Sequence, residues 1–157
     1  MQKIIPFLWF NGQAEEAIKL YTSVFKNSKI IDIGYWGEGS PFPKDQVMNG
    51  VFELYGQRFH AFDAGPKFKF TEATSFFVNA ETQEEIDHFW NALTANGGEE
   101  SMCGWLKDKF GLSWQIAPSI LGQLLNDKDR AKAGRAMQAM FQMKKIIIAD
   151  LVKAAEG

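Results

Sequence analysis

The chain contains the same pattern twice. Residues 6–25 (PFLWFNGQAEEAIKLYTSVF) lie over residues 75–94 (SFFVNAETQEEIDHFWNALT) without a gap. Each copy reads as an apolar run, a turn, and a helix entered through paired glutamates. Each later reaches a glycine followed by an aromatic strand, Gly56-Gln-Arg-Phe-His60 in the first and Gly111-Leu-Ser-Trp-Gln115 in the second. A duplicated small module predicts one domain whose halves pair around a shared cleft. A chain of 157 residues with 46% apolar residues has enough material for such a core.

The first module, about residues 1–66, predicts strands over 4–10 and 28–36, a helix with Ala14, Ala17, Ile18, Tyr21, Val24 and Phe25 on one stripe, and a hairpin of 47–55 with 58–64 around Gly56-Gln57. The second, about 70–118, predicts a strand over 73–80. A helix follows behind a Thr82-Gln-Glu-Glu85 capping box, and three short strands lie near 99–103, 104–107 and 112–117. Helices fill about 119–157, a short one over 119–125 and then 127–155 in one or two pieces, with Ala136, Met140, Met143, Ile147 and Leu151 on one face. That stripe predicts packing on the domain's own sheet, with a dimer contact as the alternative.

A formal net charge of −2 with no basic stripe argues against nucleic acid, and no apolar run is long enough to span a membrane. The start carries no signal-peptide pattern, and a lone cysteine excludes an internal disulfide; a cytoplasmic location fits both.

These motifs, together with CGWLKDKFGLSWQIAP at 103–118 and AMQAMFQMKKIIIADL at 136–151, resemble the PhnB-like proteins. These are also called 3-demethylubiquinone-9 3-methyltransferase domains, within the vicinal oxygen chelate superfamily of glyoxalase I, bleomycin-resistance proteins and extradiol dioxygenases. The resemblance implies an α+β fold of tandem βαβββ modules (the glyoxalase/bleomycin resistance/dihydroxybiphenyl dioxygenase type) with a helical C-terminal extension. It also implies a homodimer. The methyltransferase description has no support in the glycines: Gly34, Gly37 and Gly39 precede a proline pair, not a helix, and no nucleotide fingerprint is present.

Metal-dependent members of the superfamily take one ligand from the first and one from the last strand of each module. Those positions fall on Ile5, His60, Thr74 and Gln115. Only the imidazole is a strong donor, so no metal cofactor is expected; if one binds, His60 and Gln115 would hold it. Strand alternation from the same positions predicts a small-ligand pocket of Ile5, Phe7, Trp9, Arg58, His60, Phe62, Thr74, Phe76, Ser113 and Gln115. In it Arg58 would clamp a carboxylate or phosphate. His60 is the one candidate acid-base catalyst, set against a half-buried histidine bonded to Gln115 or a neighbour.

Other residues read as structural. Asp63 falls on the opposite strand face from His60, and His88 on a solvated helix side. Cys103 reads as a buried thiol, Glu15, Glu16, Glu84 and Glu85 as helix-dipole partners, and Asp108–Gly111 as a turn. Trp105 and Trp114 read as core. The functional expectation is a binder of a small planar or anionic molecule. The alternatives are a His-based or metal-assisted isomerase, lyase or transferase, and a non-catalytic subunit with a filled cleft.

Overall fold

A computed structural model describes residues 2–157. The chain forms two compact units, one ending at Phe70 and the other beginning at Thr71. Among the described residues no helix is long and apolar enough to cross a membrane.

The N-terminal unit runs β1 (Phe7–Phe10), α1 (Ala14–Val24), β2 (Ser28–Tyr35), β3 (Val47–Leu54) and β4 (Gln57–Asp63). Its sheet has the order β1-β4-β3-β2, with β1 parallel to β4 and the rest antiparallel. The stripe of α1 is buried as its spacing predicts: Ala14, Ala17, Ile18, Tyr21 and Val24. It packs on Leu8, Phe10, Phe52, Phe59 and Ala61, the side chains on one face of the sheet. The β3–β4 hairpin turns at Tyr55-Gly56, one residue earlier than predicted. Leu54 pairs with Gln57, and both central residues have positive φ (48° and 79°), as a two-residue primed turn requires.

The start of α1 is held from a distance. Gln13 at its N-cap makes no side-chain cap bond. Instead the buried carboxylate of Asp63, at the end of β4, accepts from Ala14 N at 3.0 Å through Oδ1 and from Val47 N at 3.0 Å through Oδ2. One acidic side chain thereby satisfies a helix start and a strand start that would otherwise bury unpaired donors.

The C-terminal unit repeats the plan with β5 (Ser75–Ala80), α2 (Gln83–Thr94), β6 (Glu99–Glu100), β7 (Trp105–Lys107) and β8 (Ser113–Pro118), in the order β5-β8-β7-β6. Thr82 caps α2 as predicted, its Oγ1 accepting from Glu85 N at 3.2 Å, while the Glu85 carboxylate accepts from Glu81 N. Ile86, Phe89, Trp90 and Leu93 are buried on α2, against Leu106, Trp114 and Ile116 of the sheet. The strand predicted over 99–103 is only two residues long, because Cys103 (φ 59°) and Gly104 (φ 83°) leave extended geometry. Cys103 is half-buried, not buried as expected. The buried carboxylate of Asp108 accepts from Phe110 N, Leu112 N and Trp114 Nε1, which pins the 108–111 turn.

Three helices follow: α3 (Ile120–Leu125), α4 (Arg130–Phe141) and α5 (Ile148–Glu156). The 127–155 stretch divides into two helices, as its sequence allows, and the break at 142–147 shifts the phase of the stripe: Ile146, not Ile147, is buried, with Leu124, Ala136, Leu151 and Ala155. Gln83 ties this extension to α2. Its Nε2 donates to Ile146 O and its Oε1 accepts from Ile148 N, at the first turn of α5. Lys145 pairs with Asp87 at 2.6 Å, which lowers the Asp87 pKa, chiefly through that bond and next through Gln83.

Candidate functional site

In the N-terminal unit, strand parity divides the sheet cleanly. The side chains of β4 at 59, 61 and 63 are buried on the α1 side, whereas Arg58, His60 and Phe62 lie on the other face and remain partly exposed. The parallel register sets Phe7 beside His60 and Trp9 beside Phe62. Their rings form a chain: Phe7 to His60 at 5.6 Å, Phe7 to Phe62 at 4.9 Å edge-on, Trp9 to Phe62 at 4.9 Å edge-on, and Trp9 to Phe68 at 4.9 Å. Trp9 is fixed by its indole N–H, which donates to Gly65 O. Phe7 and Phe68 stay more than half exposed. Phe68 belongs to the cluster but no strand alternation includes it, because it lies in the loop after β4.

The polar end of this face is a charge row. Arg58 sits across from Glu53 in the register, and Glu53 across from Lys29. Glu53 takes Arg58 Nη2 at 3.1 Å and Lys29 Nζ at 3.2 Å, and these bonds, Arg58 first, hold its pKa below the ordinary value. Two cations share one carboxylate in this row, and Asp32, across from Val51, adds a second carboxylate on the same face. Ile5 lies just before the strand, which begins at Phe7.

The C-terminal unit corrects the predicted pocket. Gln115 pairs with Phe77, and Ser113 with Ser75; Phe76 pairs with Trp114. Phe76 therefore packs on the Trp114 side, at 5.5 Å ring to ring, and Thr74 is an exposed residue before the strand. Neither shares a face with Gln115. The gapless repeat is the source of the error. His60 pairs with Phe7 and Gln115 with Phe77, so strand equivalents differ by 70 positions, while the helix cores Ala17 and Ile86 differ by 69. The second module has one residue fewer between strand and helix, and a one-residue slip exchanges strand faces. The equivalent of Ile5 is thus Ser75, not Thr74.

That substitution matters locally. Gln115 Nε2 donates to Ser75 Oγ at 2.8 Å. Ser113, two residues before Gln115 on the same face, is 1% exposed, and its Oγ has no hydrogen-bond partner among the described residues. Lys107, across from Ser113, is occupied by the carboxylates of Glu72 and Glu99. Trp105 lies across from Gln115 and is half-buried, while Trp114 is buried.

These residues do not make a donor set for a divalent ion. In the N-terminal unit the His60 imidazole has Phe7 and Val51 as its register neighbours. In the C-terminal unit the corresponding positions hold a hydroxyl and an amide already bonded to each other. Among the described residues no group of three or more His, Cys, Asp or Glu side chains is placed to hold a metal. Asp63 lies on the helix side of its sheet, spent on backbone amides. His88 is exposed on α2. Gly37 and Gly39 lie in the loop between β2 and β3, so the glycines lead into a strand and not to a helix start.

The model of the 3-demethylubiquinone-9 3-methyltransferase family matches residues 2–117. The chain belongs to that family. A putative 3-demethylubiquinone-9 3-methyltransferase, PhnB protein, from Bacillus cereus is 39% identical, with 75% of this chain and 100% of that chain covered and a TM-score of 0.71. A Pseudomonas aeruginosa protein is 25% identical, with 75% and 98% covered and a TM-score of 0.64. The fosfomycin resistance protein FosX of Listeria monocytogenes, in a mutant form complexed with Mn(II) and a dihydroxypropylphosphonic acid, shares the fold at 14% identity, with 80% and 100% covered and a TM-score of 0.57. No curated protein matches the chain. This is the PhnB-like branch of the vicinal oxygen chelate superfamily, with the glyoxalase/bleomycin resistance type of α+β fold and added C-terminal helices.

Proposed function

We propose that this PhnB-like chain binds a small planar or anionic molecule on the face of its N-terminal sheet opposite α1, without requiring a metal. The observation that carries the reading is the aromatic chain of Phe7, Phe62, Trp9 and Phe68 beside the Lys29–Glu53–Arg58 row. Exposed rings in edge-to-face order offer flat apolar surface, and the partly exposed Arg58 guanidinium offers a counter-charge. His60, at the junction of the two, lines the site; its ring lies against Phe7. Binding alone needs no further chemistry from these residues.

The test is thermal stability in chelator-containing buffer with millimolar benzoate or phenylphosphonate. A ligand that binds the native state raises the melting temperature by mass action. The increase should vanish in Trp9→Ala and shrink in Arg58→Ala. An increase produced only by manganese or zinc, and by no aromatic anion, would overturn the reading.

A further inference from the structure

Gly34, near the end of β2, is a glycine that the backbone does not require. Its φ is not positive. The bulge beside it inserts Met48 into β3 and adds no residue to β2. A Cβ on Gly34 would meet nothing closer than Asn49 O at 3.8 Å and Met48 Cε at 3.9 Å, which is ordinary contact. Glycine weakens a strand, and it stands there where a bulge, a close backbone or a ligand needs the space. With the first two excluded, the open space is the remaining use.

The space lies on the face opposite α1. Gly34 pairs with Asn49, and Asp32 with Val51. Asn49 and Val51 flank Gly50, whose own side of the sheet is the one packed on Ile18 of α1. The gap is therefore bordered by a carboxylate and a carboxamide set diagonally across two strands, about 7–8 Å apart. Asp32 is exposed and Asn49 half-buried, so both are reachable from solvent. Neither side chain has a hydrogen-bond or ion-pair partner among the described residues. Lys29, the one cation of β2, is held by Glu53. Met48, 45% exposed, adds an apolar wall.

We infer that this notch binds the amino-bearing edge of a planar heteroaromatic molecule. Asp32 would accept from the amino N–H, and the Asn49 carboxamide, which carries both a donor and an acceptor, would pair with the ring edge. The carboxylate at the gap repels an anionic edge and favours an amino group. Asn49 is one step beyond Gly50, which pairs with Ala61, so it lies beside Phe62 of the aromatic chain. The inference rests on the reading that this face takes a planar molecule, and it adds which edge that molecule carries.

The experiment is a titration of the full ¹⁵N-labelled chain with 2-aminoquinoline and with quinoline, the same ring without the amino group. The amine should shift the amide signals of 32, 34 and 49 and bind about tenfold more tightly than quinoline, the size of one hydrogen bond to a charged group. Asp32→Ala should erase that preference. Gly34→Val should abolish binding of the amine while leaving the melting temperature unchanged or higher, because valine suits a strand and fills only free space. Four results would each overturn the inference: equal affinity for the two rings, Asp32→Ala that keeps the preference, Gly34→Val that binds as before, or Gly34→Val that melts lower, which would give the glycine a role in the fold. Benzoate shifts at 7, 9 and 62 without a response to 2-aminoquinoline would strike the notch alone. No response to either compound would strike the whole face, so the two readings fail separately.

Discussion

The two modules share a plan and differ in what they place at matching positions. Where the N-terminal sheet has Arg58 and His60, the C-terminal sheet has Ser113 and Gln115; where one has Trp9, the other has Asn79. One face is ringed and charged, the other mostly neutral and hydrogen-bonding. The helix starts diverge in the same way. Helix α2 is capped by Thr82, its own neighbour in sequence. Helix α1 is capped by Asp63, 49 residues downstream of Ala14, and the matching position in the second module is Pro118, which has no carboxylate to offer. The two sheets share one strand order, while each unit satisfies its buried backbone donors with different residues.

The largest test of this contrast is Asp63→Ala. It leaves two buried amides unpaired, so it should cost about 2–4 kcal/mol in chemical denaturation. Thr82→Ala, an exposed local cap, should cost about 1 kcal/mol. Equal losses would show that the remote cap is no stronger than the local one. Next, the corrected register predicts that Phe76→Ala costs about 2–3 kcal/mol, since Phe76 packs beside Trp114, and that exposed Phe77→Ala costs under about 0.5 kcal/mol. The reverse order would restore the gapless repeat.

A smaller effect concerns the extension. Gln83→Ala should raise amide exchange at 148–156 with little change in the core of α1, because two of the Gln83 bonds hold α5 and the segment before it and the third stays within α2, on Asp87. Uniform exchange throughout would mean the extension does not open separately. The smallest is pH. The Asp87 pKa is lowered when folded, so its contribution is present above the ordinary value of 3.8 and is lost as pH falls through the lowered one. Exchange at 145–156 should rise there, and Asp87→Asn should flatten that rise.

Helices were the most legible parts of this sequence. The α1 and α2 stripes occupy several turns each, and the capping box is spelled within four residues. Strand faces were less so. Parity depends on a single residue in a connecting loop, and in the second module Phe76-Phe77 places the same side chain on both faces, which erases the alternation that would have revealed the slip. The N-terminal ring cluster was readable because Phe7, Trp9, Arg58, His60 and Phe62 obey one parity within adjacent parallel strands. The Asp63 cap and the Ser75–Gln115 bond join residues 49 and 40 positions apart, and no local pattern records such pairings. The phase shift in the last helical stretch was hidden by methionines and isoleucines that suit either phase.

The turn at Cys103-Gly104 carries one more implication. Its two successive amides donate to Met143 O at 2.7 Å and Lys144 O at 2.8 Å, and a side chain on Gly104 would collide with Ile116 O. The family model ends at residue 117, so both acceptors come from the added segment. A chain shortened to the family length would leave this concavity of paired N–H groups to water or a passing anion. The appended helices therefore act as a stopper, and trimming them would change the surface chemistry of the module as well as its length.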